Sequence, residues 1–401
     1  MTALEHVVVV GLGAAGIAAA ETLRAEGYQG RLTLVGAETH LPYDRPPLSK
    51  QVLTRAWEPA QTALRADADY SDLDAEFLLG TTASSLDVSA RKLLLGTGPA
   101  LDYDALVIAT GVRPRRLPSG HEFAGVHLLR TLDDAVALRE ALAPGARVAV
   151  IGAGFLGTET AAAARALGLE VTLIDPLPTP LYRQVGARVG ALVGRLHTNR
   201  GVELCTGVGV DRVFGRDGRL TGVALGDGRL VEADVVVVAI GSVPGTDWLD
   251  GSGLTLDEGV SCDEYCRAAP GVFAAGDVAS WQDSRFGRRL RLEHRMHATE
   301  QASAAARNLL GAELPFSPVP YFWTDQYDSV LQVYGILPAD AQVALVSGHP
   351  EEGAFVALYG SDGRVVGALG WNSPRPLRAA RRYVVQGTDW GAVDGLTEFP
   401  G

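Results

Sequence analysis

The 401-residue sequence predicts an α/β protein with two parallel-sheet domains and a small α+β domain at the C-terminus. An apolar strand that runs into G-x-G-x-x-G occurs twice, at Val7–Gly16 and Val148–Gly157, and an alanine-rich segment follows each copy. Strand, glycine loop and helix in this order are typical of Rossmann-like dinucleotide-binding domains. From about Phe316 onward, short alternating strands separated by Gly, Pro and Asp turns predict the third, smaller domain.

An acidic residue follows each glycine fingerprint, about twenty residues later. Glu38 comes after the apolar segment 32–35, and Asp175 comes after the segment 171–174. The glycines let the backbone approach a pyrophosphate, the helix N-terminus supplies partial positive charge, and the acid accepts hydrogen bonds from ribose hydroxyls. Two complete units predict two dinucleotides in one protein, which indicates electron transfer. The predicted pyrophosphate residues are Gly11, Gly13, Ala15 and Gly16 in the first site and Gly152, Gly154 and Gly157 in the second.

A second pattern recurs after each fingerprint, which indicates an internal repeat of whole domains. The predicted strand at 101–111 ends in A-T-G, and the strand at 233–241 ends in A-I-G. A third apolar strand at 271–275 leads into Gly276 and Asp277 and is expected to enter a helix, with the carboxylate at the C-terminal edge of a sheet. Its position indicates a return to the first domain. The predicted domains are 1–112 with 245–315, 113–244, and 316–401.

Composition restricts the class of protein. The chain is 47% apolar with a net charge of −12, which argues against nucleic-acid binding and disorder. No apolar run reaches the roughly 18 residues of a membrane span, and no basic segment precedes the first strand, so we expect a cytoplasmic protein without membrane association. Three cysteines, Cys205, Cys262 and Cys266, cannot form a disulfide framework. We interpret the segment 260–266 as an exposed strand edge rather than a metal or redox site.

Taken together, these features resemble the two-dinucleotide flavoproteins, and within them the NADH-dependent ferredoxin reductases of bacterial oxygenase systems, the putidaredoxin reductase type. The resemblance rests on both fingerprints, on the A-T-G and G-D strands, on Pro42–Lys50 (PYDRPPLSK) and on Phe322–Asp328 (FWTDQYD). It implies FAD in the first site, NAD in the second and a C-terminal interface domain. The implied activity passes hydride from NADH to FAD and then single electrons to a [2Fe-2S] ferredoxin that serves an oxygenase.

The resemblance also implies roles for individual side chains. Lys50 would lie beside the flavin, Glu159 would reach the nicotinamide end, and Asp277 would bind the ribityl chain. A solvated surface lysine and an exposed helix acid are the alternatives for Lys50 and Glu159. Trp323 lines the electron exit or packs in the core, and the sequence leaves both open. The further cofactor residues that the resemblance implies are Glu38, Arg45, Ala83, Thr110, Gly111, Arg130, Gly241, Gly276 and Arg295, the last at a position where many members have tryptophan.

The second site is expected to prefer NADH over NADPH. Asp175 would bind the adenosine ribose and repel a 2′-phosphate, although Arg183 in the following loop could reach either group. The segment 40–50 holds no cysteine, whereas disulfide reductases of this superfamily carry a C-x-x-x-x-C pair there. A thiol–disulfide relay at that position is therefore excluded, and the flavin must pass electrons directly to an outside acceptor.

Arginines cluster in two segments of this acidic chain. Residues 283–309 hold six arginines against three acids, and residues 364–383 hold five against none. We predict a basic patch at 285–307 and 375–382 that binds an acidic ferredoxin, with solvated helix faces as the alternative. Charge reversal at Arg289 and Arg378 should then slow ferredoxin reduction alone. We expect a monomer or weak homodimer. The alternative functions are a rubredoxin reductase or NADH oxidase, and an apoptosis-inducing-factor-like protein that senses NADH and binds partners.

Overall fold

The computed structural model describes residues 4–65 and 69–400, and the chain forms two compact units. The first unit comprises Met1–Asp44, Thr62–Arg113 and Ser242–Pro318, and the second comprises Arg45–Gln61, Pro114–Gly241 and Val319–Gly401. The α-helices of the described residues are α1 (Ala14–Ala25), α2 (Leu132–Ala141), α3 (Phe155–Ala166), α4 (Tyr182–Asn199), α5 (Arg295–Leu309) and α6 (Pro374–Gln386). None of the described helices combines the length and apolar composition needed to cross a membrane.

The first unit is built on a six-stranded sheet whose strands are parallel except at one edge. Its strands are, in spatial order, Arg267–Ala269, Val272–Ala274, Ala105–Ile108, His6–Val10, Arg31–Val35 and Glu76–Leu78. The inner strands are continuous apolar runs because parallel strands are covered on both faces. Val7, Val8 and Val9 are fully buried accordingly. Helices α1 and α5 pack against each other, and Thr22 donates a hydrogen bond to Ser303 between them.

Smaller sheets complete the first unit. One consists of Val260–Cys262, Ala279–Asp283 and Arg288–Leu290, and another of Ala83–Asp87, Lys92–Leu95 and Leu101–Asp102.

The helix predicted after Asp277 is absent from this described segment, and that expectation was wrong. The strand Val272–Ala274 leads into one 3₁₀ turn, Gly276–Val278, and then directly into the strand Ala279–Asp283. This strand pairs in parallel with Val260–Cys262 and buries Trp281 completely. Sheet pairing and burial of the tryptophan therefore override the alternation of strand and helix seen in the glycine-loop units.

The second unit contains a five-stranded parallel sheet with the same order of strand, glycine loop and helix as the first unit. Its strands are, in spatial order, Val202–Thr206, Glu170–Asp175, Arg147–Ile151, Val235–Val238 and Val126–His127. A three-stranded antiparallel sheet accompanies it, formed by Val210–Arg216, Arg219–Leu225 and Leu230–Glu232. Helix α3 packs on the parallel sheet and is buried along its alanines.

The C-terminal part of the second unit is a six-stranded antiparallel sheet with helix α6 packed on it. The strands are, in spatial order, Tyr321–Gln326, Ser329–Gly335, Arg364–Trp371, Ala354–Ser361, Gln342–His349 and Thr397–Glu398. Helix α6 begins with Pro374, as helices often do, and ends at Gly387, whose φ is +56°. The predicted fold class, two Rossmann-like domains and a small α+β domain, is confirmed.

The cysteines contradict the expected exposed strand edge, because Cys205, Cys262 and Cys266 are all buried and unpaired. Burial raises the pKa of the Cys262 thiol to about 12 and that of Cys266 well above its ordinary value. Within residues 4–65 and 69–400, no group of His, Cys, Asp or Glu is arranged to hold a metal ion.

We expect the thiols to be inert in the folded protein near neutral pH, because burial raises the pKa of Cys262 to about 12 and only the thiolate is reactive. An aromatic disulfide reagent at pH 8 should label none of the three cysteines in the native state and all three in denaturant. Labelling of native Cys262 or Cys266 would contradict their burial.

Candidate functional site

The first glycine of each fingerprint occupies a turn that only glycine fits. Gly11 and Gly152 have φ values of +107° and +102°. A Cβ atom on Gly11 would lie 2.2 Å from the carbonyl oxygen of Ala109, and one on Gly152 would lie 2.3 Å from that of Ala239. The two loops therefore have the same structure, and each lies against the end of the parallel strand that pairs with its own fingerprint strand.

The second and third glycines have different surroundings. A Cβ on Gly13 would meet no atom within 4 Å, and one on Gly154 would meet only the Gln184 Nε2 atom at 3.6 Å. A Cβ on Gly16 or Gly157 would lie 1.8 Å from the carbonyl oxygen of the first glycine in its loop. The third glycine thus lets the helix approach the loop, and the second leaves open space at a helix N-terminus. That space fits a pyrophosphate group.

Glu38 and Asp277 each follow a strand of the first sheet. Glu38 is half-buried and accepts a hydrogen bond from the Tyr43 hydroxyl. Asp277 is half-buried in its 3₁₀ turn. A Cβ on Gly276 would lie 3.0 Å from the Cβ of Ala15, so this turn closely approaches the start of α1. The turn that contains Asp277 therefore lies beside the start of α1, directly after the first glycine loop.

Three further predicted residues of the first unit have different local roles. The Thr110 hydroxyl donates to the carbonyl of Gly245 at 2.8 Å, and Gly111 has a φ of +65°. Ala83 begins a strand of a separate three-stranded sheet.

Arg295 is the first residue of α5, and its charge is balanced locally. The guanidinium forms an ion pair with Asp44 and donates to the Thr299 hydroxyl at 2.5 Å. The pairing fixes the side chain between the start of α5 and the loop that contains Asp44. Arg295 therefore does not present an unpaired positive charge.

Lys50 and Glu159 form a buried ion pair in the second unit. Their side chains are 14% and 8% exposed, and Lys50 Nζ lies 2.8 Å from Glu159 Oε2. The Ser49 hydroxyl donates to the same oxygen at 2.6 Å, and the Thr324 hydroxyl donates to Oε1 at 2.7 Å. Neither alternative, a solvated lysine or an exposed helix acid, describes these residues. The carboxylate instead receives three donors from two separate segments of the chain, Ser49 with Lys50 and Thr324.

Ser49, Thr324 and Gln184 are site residues that the sequence analysis missed. Ser49 lies inside PYDRPPLSK and Thr324 inside FWTDQYD, but neither segment indicates a role for these hydroxyls. Gln184 lies in the first turn of α4, beside the second glycine of the second loop. No residue spacing in the sequence relates it to that glycine.

Asp175 secures the second glycine loop. Its Oδ2 accepts from the backbone N–H of Ala153 at 2.6 Å, and its Oδ1 accepts from that of Leu177 at 2.8 Å. The Leu181 N–H donates to the Ala153 carbonyl at 2.8 Å, which joins the start of α4 to the same loop. Arg183 is exposed in the first turn of α4.

Arg45 and Arg130 are brought together in the second unit, since Arg45 donates to the carbonyl of Arg130 at 2.6 Å. Gly241 is exposed with a φ of +94°. Trp323 is half-buried and stacks on Tyr321, with ring centroids 6.1 Å apart. A half-buried ring fits both packing and an electron exit, so its role stays a prediction.

A family model described as pyridine nucleotide-disulphide oxidoreductase matches residues 5–306. The chain belongs to the pyridine nucleotide-disulphide oxidoreductase family. A second model, described as reductase C-terminal, matches residues 321–394. Membership confirms an FAD-dependent oxidoreductase that uses FAD and NAD(H), and both glycine loops fit these dinucleotides. Unlike the disulphide members that give the family its name, this oxidoreductase has no cysteine in residues 40–50.

Similar proteins of known name indicate the branch of the family to which this chain is related. The ferredoxin–NAD(+) reductase component of the anthranilate 1,2-dioxygenase system from Burkholderia cepacia is 41% identical over 387 residues, covering 95% of this chain and 94% of the relative. Rhodocoxin reductase from Rhodococcus erythropolis is 37% identical over 380 residues, which cover 94% of this chain and 89% of the relative. The crystal structure of the covalent putidaredoxin reductase–putidaredoxin complex matches with a TM-score of 0.91 at 32% identity. The match covers 96% of this chain and 93% of the matched chain. The resemblance drawn from the sequence is thereby confirmed.

Proposed function

We propose that this oxidoreductase is a ferredoxin–NAD(+) reductase that passes electrons from NADH through FAD to the [2Fe-2S] ferredoxin of an oxygenase system. The observation that carries the proposal is the pair of matching glycine loops in a chain without cysteine at residues 40–50. When bound, FAD would supply redox chemistry that takes up two electrons together and releases them one at a time. The protein supplies binding, orientation and electrostatics.

Lys50 and Glu159 are proposed to orient the nicotinamide end of NADH. Their pairing in a largely water-excluded position makes each charge act more strongly than it would in water. Removal of one partner would leave the other charged group buried, so both side chains are needed together. The Ser49 and Thr324 hydroxyls limit the orientations that the carboxylate can adopt.

Asp175 supports a preference for NADH over NADPH. Both of its carboxylate oxygens accept backbone N–H groups, which fixes a negative charge beside the second glycine loop. A 2′-phosphate brought to that carboxylate would be repelled, whereas ribose hydroxyls can still donate to its remaining lone pairs. Exposed Arg183 is the nearby group that favours a phosphate, and we propose that Asp175 dominates.

Helix α6 supports docking of an acidic ferredoxin. Leu377, Ala380 and Val384 are buried against the C-terminal sheet, so the arginines lie on the opposite, exposed face. Arg378 and Arg382 lie four residues apart, which places neighbouring side chains on one side of the helix. The exposed arginines of this face are Arg375, Arg378 and Arg382, whereas Arg381 is exposed at the side of the helix with its guanidinium over the Tyr334 ring.

The first predicted arginine segment supports docking less strongly. Arg291 pairs with Glu293 at 2.6 Å and Arg307 pairs with Glu26 at 2.8 Å, while Arg295 pairs with an aspartate. Arg289 donates to the backbone carbonyls of Cys262 and Ser280. Its reversal would disturb the fold, so Arg289 is not a suitable test position. We therefore base the docking proposal on α6.

Charge reversal on α6 should weaken ferredoxin reduction without affecting flavin reduction by NADH. For the double variant Arg378→Glu with Arg382→Glu, we expect the KM for an acidic ferredoxin to rise about 10-fold at low salt. The difference should shrink at high salt because surface charges are screened. A matched control reverses Arg195 and Arg216, which are also exposed. Unchanged salt dependence in the α6 variant would contradict docking there.

One set of measurements tests the function itself. The purified protein should be yellow, NADH should bleach its flavin faster than NADPH does, and cytochrome reduction should require added ferredoxin. Equally fast turnover without ferredoxin would instead indicate an NADH oxidase, and faster turnover with rubredoxin would indicate a rubredoxin reductase. A long-lived charge-transfer complex with poor turnover would indicate an apoptosis-inducing-factor-like role.

We also propose a cytoplasmic location. The three cysteines are unpaired, which agrees with a reducing compartment.

A further inference from the structure

The carboxylate of Glu159 is held from the C-terminal sheet as well as from Lys50. Thr324 lies on the strand Tyr321–Gln326 and is fully buried. Its hydroxyl donates to Glu159 Oε1 at 2.7 Å, while Oε2 is occupied by Lys50 and Ser49. The hydrogen bond from Thr324 therefore restrains rotation of the carboxylate about its own axis.

Gln326, two residues along the same strand, secures this arrangement. Its Nε2 donates to the Thr158 hydroxyl at 2.8 Å and lies 3.4 Å from the Thr324 hydroxyl. Thr158 directly precedes Glu159 in α3. The side chains of Thr158, Thr324 and Gln326 are all fully buried. The amide thus links the strand Tyr321–Gln326 to α3 at the residue next to Glu159.

His197 completes the network from α4. Its Nε2 bonds to Gln326 Oε1 at 2.8 Å, and its Nδ1 lies 3.1 Å from the Tyr327 hydroxyl. Because the amide oxygen only accepts, Nε2 carries the proton and Nδ1 accepts from Tyr327. Burial lowers the pKa of His197, which keeps this neutral tautomer at neutral pH. Buried networks in which every member is satisfied rigidify their surroundings.

We propose that Thr324, fixed by Gln326 and His197, is a positioning residue that holds the Glu159 carboxylate against Lys50. This inference rests on the proposed role of the Lys50–Glu159 pair in NADH oxidation. Under this proposal, Thr324 and Gln326 of the FWTDQYD segment position Glu159, which is a role separate from that of Trp323. The C-terminal sheet then contributes to the reaction with NADH, in addition to any contact with a ferredoxin.

The test compares Thr324→Val, Thr324→Ser and Thr160→Val in the FAD-loaded protein. Thr160 is a buried threonine of the same helix, and its hydroxyl donates to the backbone of Leu156. We expect Thr324→Val to slow single-turnover flavin reduction by NADH on the order of 10-fold, with a fall in melting temperature of at most about 4 °C and an affinity for NAD⁺ near that of the wild type. Thr324→Ser should restore the rate, and Thr160→Val should not change it.

Lysine acylation gives a second readout that does not depend on turnover. The sequence has two lysines, and exposed Lys92 is an internal standard for half-buried Lys50. In Thr324→Val, loosening of Glu159 should raise the labelling of Lys50 relative to Lys92 by about threefold or more. Mass spectrometry of the two peptides measures the ratio, and Thr160→Val should leave it unchanged.

The outcomes separate this inference from the proposed function. A wild-type flavin that NADH does not reduce would defeat the reductase proposal itself. If NADH reduces the wild-type flavin, but Thr324→Val changes neither rate nor labelling, the positioning role is wrong and the reductase stands. A Thr324→Ser variant as slow as Thr324→Val would also overturn it. If Thr324→Val does not fold, Gln326→Met replaces it, and wild-type behaviour of that variant overturns the proposal.

Discussion

A Gly154→Asp variant should be a folded, yellow protein whose flavin NADH can no longer reduce. The backbone of Gly154 has φ −73° and ψ −172°, which aspartate adopts readily, and its Cβ would meet only the Gln184 amide at 3.6 Å. The new carboxylate would occupy the space proposed for the NADH pyrophosphate. Like charges at such close range cost several kcal/mol, so NADH affinity should fall at least about 100-fold.

Anaerobic titration of the flavin absorbance measures this effect. Dithionite should still reduce the flavin of Gly154→Asp, which shows that FAD is bound and redox-active. Gly154→Ala is the matched control, because it adds a Cβ without a charge and should weaken NADH binding much less. Full-speed reduction of the aspartate variant by NADH would mean that the pyrophosphate does not bind at this loop.

Much of the fold could be predicted because it depends on local patterns. Each glycine loop lies between a buried strand and a helix, and the two copies have matching constraints from Ala109 and Ala239. The same patterns failed where tertiary pairing decides the structure. Residues 279–283 form a strand rather than a helix because Trp281 becomes the centre of a buried cluster with His297 and Phe316.

The candidate site was only partly predictable, because its hydrogen bonds join distant parts of the chain. The family resemblance implies roles for Lys50 and Glu159, whereas nothing in their local sequence indicates that Thr324 binds the same carboxylate. Thr324 and Glu159 are 165 positions apart, and Ser49 and Glu159 are 110 apart. Arg289 shows the converse error, since arginine clustering predicts a surface charge but not its backbone hydrogen bonds.

Gly16→Val should prevent stable FAD binding and destabilise the first unit. A Cβ on Gly16 would lie 1.8 Å from the carbonyl oxygen of Gly11, and this contact is with backbone that has no freedom to rotate away. Overpacking of this kind costs about 3 kcal/mol or more. In a chain of 401 residues that corresponds to a fall in melting temperature of roughly 4 °C. The ratio of flavin to protein absorbance and thermal melting measure both effects.

Two control variants distinguish packing from cofactor binding. Gly13→Ala adds a Cβ that meets nothing within 4 Å, so its FAD-free protein should melt like the FAD-free wild type. Gly157→Val introduces the same 1.8 Å overlap in the second loop. It should lose NADH binding while retaining FAD, because the two loops belong to different units. Loss of FAD from Gly157→Val as complete as from Gly16→Val would show that the two glycine loops do not act independently.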